Sequence, residues 1–282
     1  MTTTKTWLVT GASRGLGLAL VKQLLSAGYK VAATTRNRAH LIDELGPERA
    51  NFFPVEMDLK NEKSVQAAVS ATLSHFGALD VVVNNAGFGQ TGTLEELSDN
   101  EARRNFDVNV FGMLNVIRAV MPHLRARHAG HIINISSMAG IQGDIPGWGV
   151  YCAAKFAVAG MTEALAAEVR DFGINVSLVY PGLMRTGFLA DGSVMLPSNP
   201  LSAYTRVRES EEMMKRHMDG LQMGDPEKAA ALLIKISHAD TPPLHVFMGE
   251  DVYQAAQQKI DTLRAALEAG KHDALAIGFD TQ

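Results

Sequence analysis

Apolar positions in this chain fall into short runs, several of them β-branched, separated by longer segments with helical spacing. The runs "TWLVTG", "KVAATTR", "NFFPVEMDL", "LDVVVNNAG", "GHIINISS" and "INVSLVYPG" predict six buried strands, and "PLHVFMG" near the end predicts a seventh. None alternates cleanly between apolar and polar, as expected where both faces of a sheet are covered. Strands interleaved with helices predict a parallel, doubly wound α/β sheet with right-handed crossovers.

Leu16, Leu20, Gln23, Leu24 and Ala27 mark the first helix, which should stop at Gly28, a residue suited to a left-handed cap. "DPEKAAALLIKIS" opens another, with Asp225 as N-cap, Pro226 at the first position and Glu227 in the first turn. Val252, Ala256, Ile260, Leu263 and Leu267 keep helical spacing through a C-terminal extension at about 250–282, which should dock on the body or on another subunit. Between Gly187 and Gly224 the rhythm breaks: glycine, serine and proline lead up to Pro200, and "RVRESEEMMKRHMDGLQMG" follows. This segment is expected to be a lid. Its methionines can adapt to apolar ligands or simply face the core.

The length of 282 residues suits one large domain or two small ones, and a single domain is expected. Apolar residues make up 46%, charged residues 20%, and the net charge is −4, which gives no electrostatic reason to expect nucleic acid or an anionic membrane as partner. The one cysteine, Cys152, precludes an internal disulfide and suits a reducing compartment, so cytoplasm is the default. "MTTTKTWLVTGAS" carries no evident targeting segment. His123, His128 and His131 lack zinc spacing and should be surface residues, so no metal is expected.

"TGASRGLG" lies between the first strand and the first helix, where glycines let the backbone turn and approach a pyrophosphate. Free N–H groups and the helix dipole favour its negative charge. The spacing of Gly11, Gly15 and Gly17 differs from the general dinucleotide fingerprint, and a plain strand-to-helix turn remains open. At the end of the second strand, where NAD would meet an acidic residue, stand Thr35, Arg36 and Arg38, with Arg14 in the glycine loop. A guanidinium grips a 2′-phosphate that a carboxylate would repel, so NADP(H) is favoured over NAD(H). Asp58 could accept from the adenine amino group or cap the helix beginning near Asn61. "NNAG" brings small Ala86 and Gly87 to the end of the fourth strand, where a planar ligand can lie close, and Asn84 could touch ligand or brace strands.

"VYCAAKFAVAG" sets Tyr151 and Lys155 on one helix face. An ammonium beside a phenol favours the phenolate and brings it towards the range of general acid–base work, although the spacing also arises on ordinary amphipathic helices. Ser136 and Ser137 end the fifth strand, where a hydroxyl would emerge at the carboxyl edge of the sheet.

Together, "TGASRGLG", "NNAG", Asn109 in "NFDVNVFG", "ISS", "YCAAK" and "YPGLMRT" resemble the short-chain dehydrogenase/reductase family over residues 5 to about 190, with a less distinctive match to Gly249. The resemblance implies a three-layer Rossmann fold with strand order 3-2-1-4-5-6-7. It implies that Ser137 bonds the substrate oxygen, Tyr151 donates the proton, and Lys155 lowers the tyrosine pKa while holding the nicotinamide ribose. Asn109 would support a proton-relay water; Pro181 and Gly182 would lie beside the nicotinamide, and Thr186 at its carboxamide. The cofactor set is completed by Ser13, Leu16, Leu59 and Asn85. For Asn109 and Thr186, a helix-internal bond and a cap stay open. The Ser-to-Tyr interval is one residue longer than in many members, which makes Ser136 a rival to Ser137.

The expected activity is NADPH-dependent reduction of a carbonyl in a fairly apolar small molecule, with Ile141, Trp148, Leu183, Met184 and Phe188 as pocket walls. Alternatives are an NADP+-dependent alcohol dehydrogenase on a steroid-, retinol- or polyol-like substrate, and a non-catalytic NADPH-sensing regulator. Resemblance also implies a homodimer or homotetramer built on the helices after strands four and five.

Overall fold

The computed structural model describes residues 4–189, 192–214 and 220–279. The chain runs through β1 (Thr6–Val9), α1 (Gly15–Ser26), β2 (Lys30–Thr35), α2 (Arg38–Leu45), β3 (Phe52–Glu56), α3 (Glu62–Phe76) and β4 (Val81–Asn84). Next come a short β5 (Gly89–Gln90), α4 (Asp99–Phe106), a π-helical turn (Asp107–Phe111), α5 (Gly112–Arg127) and β6 (Gly130–Ile135). Then follow α6 (Gly149–Glu168), β7 (Ile174–Pro181), short β8 (Val194–Met195), α7 (Thr205–Met213), α8 (Pro226–Ser237), β9 (His245–Met248) and α9 (Glu250–Leu275).

Seven strands form one sheet in the order β3-β2-β1-β4-β6-β7-β9, with every neighbouring pair parallel. Once the small β5–β8 pair is set aside, this is the expected order. Side chains alternate across the sheet because the strand period is two. Leu8, Ala32, Val82, Ile132 and Leu178 join one core layer with α3, α5 and α6. Trp7, Val9, Val31, Val83, Ile133 and Val179 join the other with α1 and α8. The edge strand departs from the expected lack of alternation: in β9, Val246 and Met248 are buried while His245 and Phe247 are exposed, facing a groove that Phe156 and Glu163 of α6 also line.

Helix ends follow their chemistry. Gly28 has φ +82° just beyond α1, and Asp225 caps α8 by accepting from the N–H groups of Glu227 and Lys228, with Pro226 first in the helix. α6 is long and apolar enough to cross a membrane by length and composition, but Ala154, Val158 and Leu165 place one side of it in the core. One expectation needs correction. His131 is buried on β6, bonded to the Ser177 hydroxyl at 2.9 Å, and burial pushes its pKa down to about 4. α9 meets its own body at its start, through Val252 and Ala256, while Ile260, Leu263 and Leu267 are exposed on the single chain, where the expected second subunit would cover them. Residues 280–282 of the predicted extension lie outside the described residues.

From β1 the chain winds outward through β2 to β3, and from β4 it winds the other way, so the carboxyl ends of β1 and β4 open a crevice between diverging loops. Ligands bind at such switch points.

Candidate active site

The crevice widens into a cleft of about 1160 Å³. Gly11, Ser13, Arg14, Gly15 and Leu16 line one end, with Arg36 from the end of β2 and Asp58 and Leu59 from beyond β3. Asn85, Ala86 and Gly87 line its middle. Ser137, Trp148, Tyr151, Lys155, Pro181, Gly182, Leu183, Met184, Thr186 and Phe188 line the rest.

The first turn of α1 has no side-chain cap and no acidic residue, so its N–H groups and dipole are available to an anion. Gly11 (φ +64°) and Gly15 (φ +57°) hold a backbone that other residues resist, and a Cβ on Gly11 would lie 2.7 Å from Ala86 Cα. Thr10 ties the loop to β4: its hydroxyl accepts the N–H groups of Asn85 and Ala86, both at 3.0 Å. Asn85 spends its amide on the same loop, donating to the carbonyls of Thr10 and Gly11.

The two arginines of "TTRNR" separate. Arg38 pairs with Glu48 at 2.9 Å, away from the cleft, while Arg36 reaches the cleft and has no hydrogen bond or ion pair among the described residues. Arg14 donates to the carbonyl of Gly192 at 3.1 Å. The uncapped helix start and the unpaired Arg36 fit a nucleotide's phosphates. Asp58 is not the helix cap; Asn61 is, accepting from Lys63 and Ser64, while Asp58 accepts from its neighbour Lys60 N–H.

At the chemical end the serine ambiguity resolves. Ser136 donates to the carbonyl of Lys155 at 3.0 Å inside the core, whereas Ser137 accepts from the Ala139 N–H at 3.1 Å and lines the cleft together with Tyr151, near enough to ease the phenol's pKa. Trp148 meets Tyr151 edge-on at 5.5 Å between ring centroids, and Phe188 lies tilted against it at 6.2 Å. Lys155 Nζ donates to the Ile135 carbonyl at 2.9 Å and sits 5.7 Å from the Tyr151 ring centroid.

This arrangement corrects one electrostatic expectation. Burial pushes the Tyr151 phenol above the ordinary tyrosine range, with only partial relief from the Ser137 hydroxyl, and Lys155 does not lower it. Burial also pushes Lys155 down to about 8. Both groups have lost water, and burial is the leading cause of each shift.

Residues 5–194 match the family described as short chain dehydrogenase. The chain is 34% identical over 276 residues to Oxidoreductase BOA17 of Botryotinia fuckeliana, spanning 97% of this chain and 99% of that one. It is 36% identical over 244 residues to the 3-ketodihydrosphingosine reductase of Bacteroides thetaiotaomicron, spanning 86% and 87%. A solved short-chain dehydrogenase from Streptomyces avermitilis superposes with a TM-score of 0.88 at 32% identity, over 97% of this chain and all of that one. The chain belongs to the short-chain dehydrogenase family. It is accordingly an oxidoreductase of CH–OH and C=O groups that works with a nicotinamide dinucleotide. Related structures hold either form: one from Burkholderia phymatum holds NAD (25% identity, TM-score 0.80, 93% of this chain and 95% of that one) and one from Burkholderia cenocepacia holds NADP (26%, 0.72, 94% and 97%).

In this short-chain dehydrogenase three predicted site residues stand behind the cleft wall. Gly17 is buried where a Cβ would lie 2.5 Å from Asn85 Nδ2 and the Gly11 carbonyl, so it permits close packing rather than ligand contact. Asn109 lies in the π-helical turn, with its amide engaged by both backbone groups of Phe88 and by Asn105. Ile141 lines a separate groove with Phe156, Tyr180 and Phe247. Thr186 lines the cleft and accepts from the Phe188 N–H at 3.3 Å within a turn; no described helix starts there for it to cap. Asn84 braces strands through Asn134, which continues to Thr162. Sequence reading missed Thr10, Asn134 and Thr162; the hydroxyl immediately before Gly11 was a signal for the first, while the chain from Asn84 through Asn134 to Thr162 joins distant segments and left none. Among the described residues no group of three His, Cys, Asp or Glu side chains could hold a metal.

Proposed function

We propose that this short-chain dehydrogenase reduces a ketone or aldehyde of a fairly apolar molecule, with NADPH as its dinucleotide and Tyr151 as general acid. The observation that carries the reading is the buried Tyr151 phenol sharing with Ser137 a cleft that has Trp148, Phe188, Met195, Met213 and Met214 in its walls. Bound NADPH supplies the hydride. The chain supplies the rest: Ser137 and Tyr151 present two hydroxyls to one carbonyl oxygen, which fixes its orientation and favours charge developing there. Burial keeps the phenol protonated throughout the neutral range, so it stands ready to give its proton to that oxygen. Lys155, anchored on Ile135, borders both Tyr151 and Gly87, where it can meet the ribose.

The preference for NADPH is supported by Arg36, the unpaired cation at the end of β2, and by the lack of a carboxylate in its place. The apolar substrate is supported by the aromatic and methionine walls, and it accords with a relative named for a ketodihydrosphingosine. The same proposal has the protein in the cytoplasm as a homo-oligomer assembled on α5 and α6, where Phe111, in the turn leading into α5, and Phe156, on α6, are exposed.

The test is NADPH consumption with a panel of ketones, aldehydes and quinones by wild type and Tyr151→Phe. The variant should lose at least about a hundredfold in kcat/KM, since it removes a general acid, while its NADPH dissociation constant stays near wild type. Equal turnover by both proteins, or tight NADPH binding with no turnover by either, would reject the reading.

A further inference from the structure

Three carboxylates that follow β5 hold the lid from outside the cleft. Glu95 accepts from the Tyr204 hydroxyl, and Glu101 accepts from the N–H and hydroxyl of Ser198 at 2.8 and 2.9 Å. Glu96 is fully enclosed and accepts from the N–H groups of Thr93 (2.7 Å) and Leu201 (2.6 Å) and from Arg208 Nη2 (2.8 Å). Burial alone would raise the Glu96 pKa, but these hydrogen bonds and the Arg208 charge outweigh it and hold the carboxyl below its usual range. Arg208 Nη1 reaches Glu211 at 2.9 Å.

Arg208 lies on α7, and its neighbour Val207 is buried in a notch at Gly147, where a Cβ would come within 2.6 Å of Val207 Cγ1. Gly147 precedes Trp148, the ring set edge-on against Tyr151. At the far end of α7, Met214 packs on the cluster containing Trp148 and Tyr151, and Ser210 and Met213 line the cleft. The ion pair thus fixes one end of a helix whose other end forms the substrate wall.

We propose that Glu96 and Arg208 are substrate-positioning residues: their pair holds α7 over Trp148 and Tyr151 and sets affinity for the extended apolar part of the carbonyl compound, not for the dinucleotide. This rests on the carbonyl-reductase reading above. A short ketone occupies the space beside Tyr151 and needs α7 little; a long one must lie along Met213 and Met214.

The experiment compares wild type, Arg208→Met and Arg208→Lys with 2-butanone and 2-decanone at saturating NADPH. Arg208→Met should raise KM for 2-decanone about tenfold or more, as loss of a charged hydrogen bond does, and change KM for 2-butanone less than about threefold. Its kcat and NADPH dissociation constant should stay within about twofold, and Arg208→Lys should recover most of the affinity by keeping the charge. Equal KM increases for both ketones, no increase for either, or weakened NADPH binding would overturn the proposal. If wild type reduces neither ketone, the carbonyl reading fails by itself. Hydrogen exchange of residues 205–214 in the NADPH complex then decides the latch: faster exchange in Arg208→Met supports it and unchanged exchange overturns it. If Arg208→Met does not fold, Glu96→Gln serves in the same measurements, with the same outcomes deciding.

Discussion

Burial moves the proton affinities of Tyr151 and Lys155 in opposite directions, upward for the phenol and down to about 8 for the amine. Tyr151 therefore keeps its proton at every pH where the protein would be assayed, and the group that titrates in the working range is the lysine. The ammonium of Lys155 is populated below about 8 and lost as pH rises through that value. Carbonyl reduction, which gains from positive charge near the oxygen, should hold a plateau at neutral pH and decline above about 8. A kcat/KM profile that stays flat to pH 9.5 would contradict this assignment. Linkage gives a second sign. Between about 8 and the ordinary lysine value of 10.5 the unfolded chain holds a proton that the native state has released, so stability rises with pH across that window. The same contribution is lost as pH falls through about 8, and Lys155→Met should abolish it. Residue types and spacing showed which groups meet here. The direction of the tyrosine shift was not legible, because it depends on how completely both tips leave water.

Elements end where their neighbours allow, and those ends decide which of two similar residues faces the ligand. β2 stops at Thr35 and α2 begins at Arg38, with Asn37 capping the helix by accepting from the Ala39 N–H. The turn between them leaves Arg36 on the cleft and carries Arg38 to Glu48. Nothing in "TTRNR" distinguishes the two guanidiniums, since the choice depends on where a distant Glu48 arrives. Ser136 and Ser137 separate in the same way: β6 ends at Ile135, and the first hydroxyl turns to the Lys155 carbonyl while the second emerges at the cleft. Arg36 has no hydrogen bond or ion pair among the described residues, so Arg36→Asp should invert the charge offered to a 2′-phosphate and shift the ratio of kcat/KM for NADPH over NADH by at least about tenfold towards NADH. Arg38→Asp should leave that ratio near wild type. Equal shifts from the two substitutions would show that both contact the nucleotide and that the separation at β2 has no bearing on selectivity.

At the scale of the molecule, local period and burial account for what sequence could and could not show. Seven strands were readable because strands covered on both faces run apolar, and their order followed from the resemblance to the short-chain dehydrogenase/reductase family that the motifs carry. The contacts of the segment after β8 were not, since Glu96 and Leu201 or Glu101 and Ser198 meet across about a hundred residues and leave no periodic trace; residues 190–191 and 215–219 of the expected lid lie outside the described residues. The C-terminal helix shows the opposite case: its helical spacing continues well past the point where it touches the body. Val252 and Ala256 are buried, and from Gln257 to Phe279 no residue is. Ending the chain after Gln258 removes no buried side chain among the described residues, so the melting temperature should fall by no more than about 2 °C, the scale of a surface change in a protein of this size. NADPH affinity should also be unchanged, because α9 contributes no residue to the cleft. A larger fall in melting temperature, accompanied by a smaller particle in analytical ultracentrifugation, would place Ile260, Leu263 and Leu267 against a second subunit. The same fall without a change in particle size would mean that the helix folds back on its own body in solution.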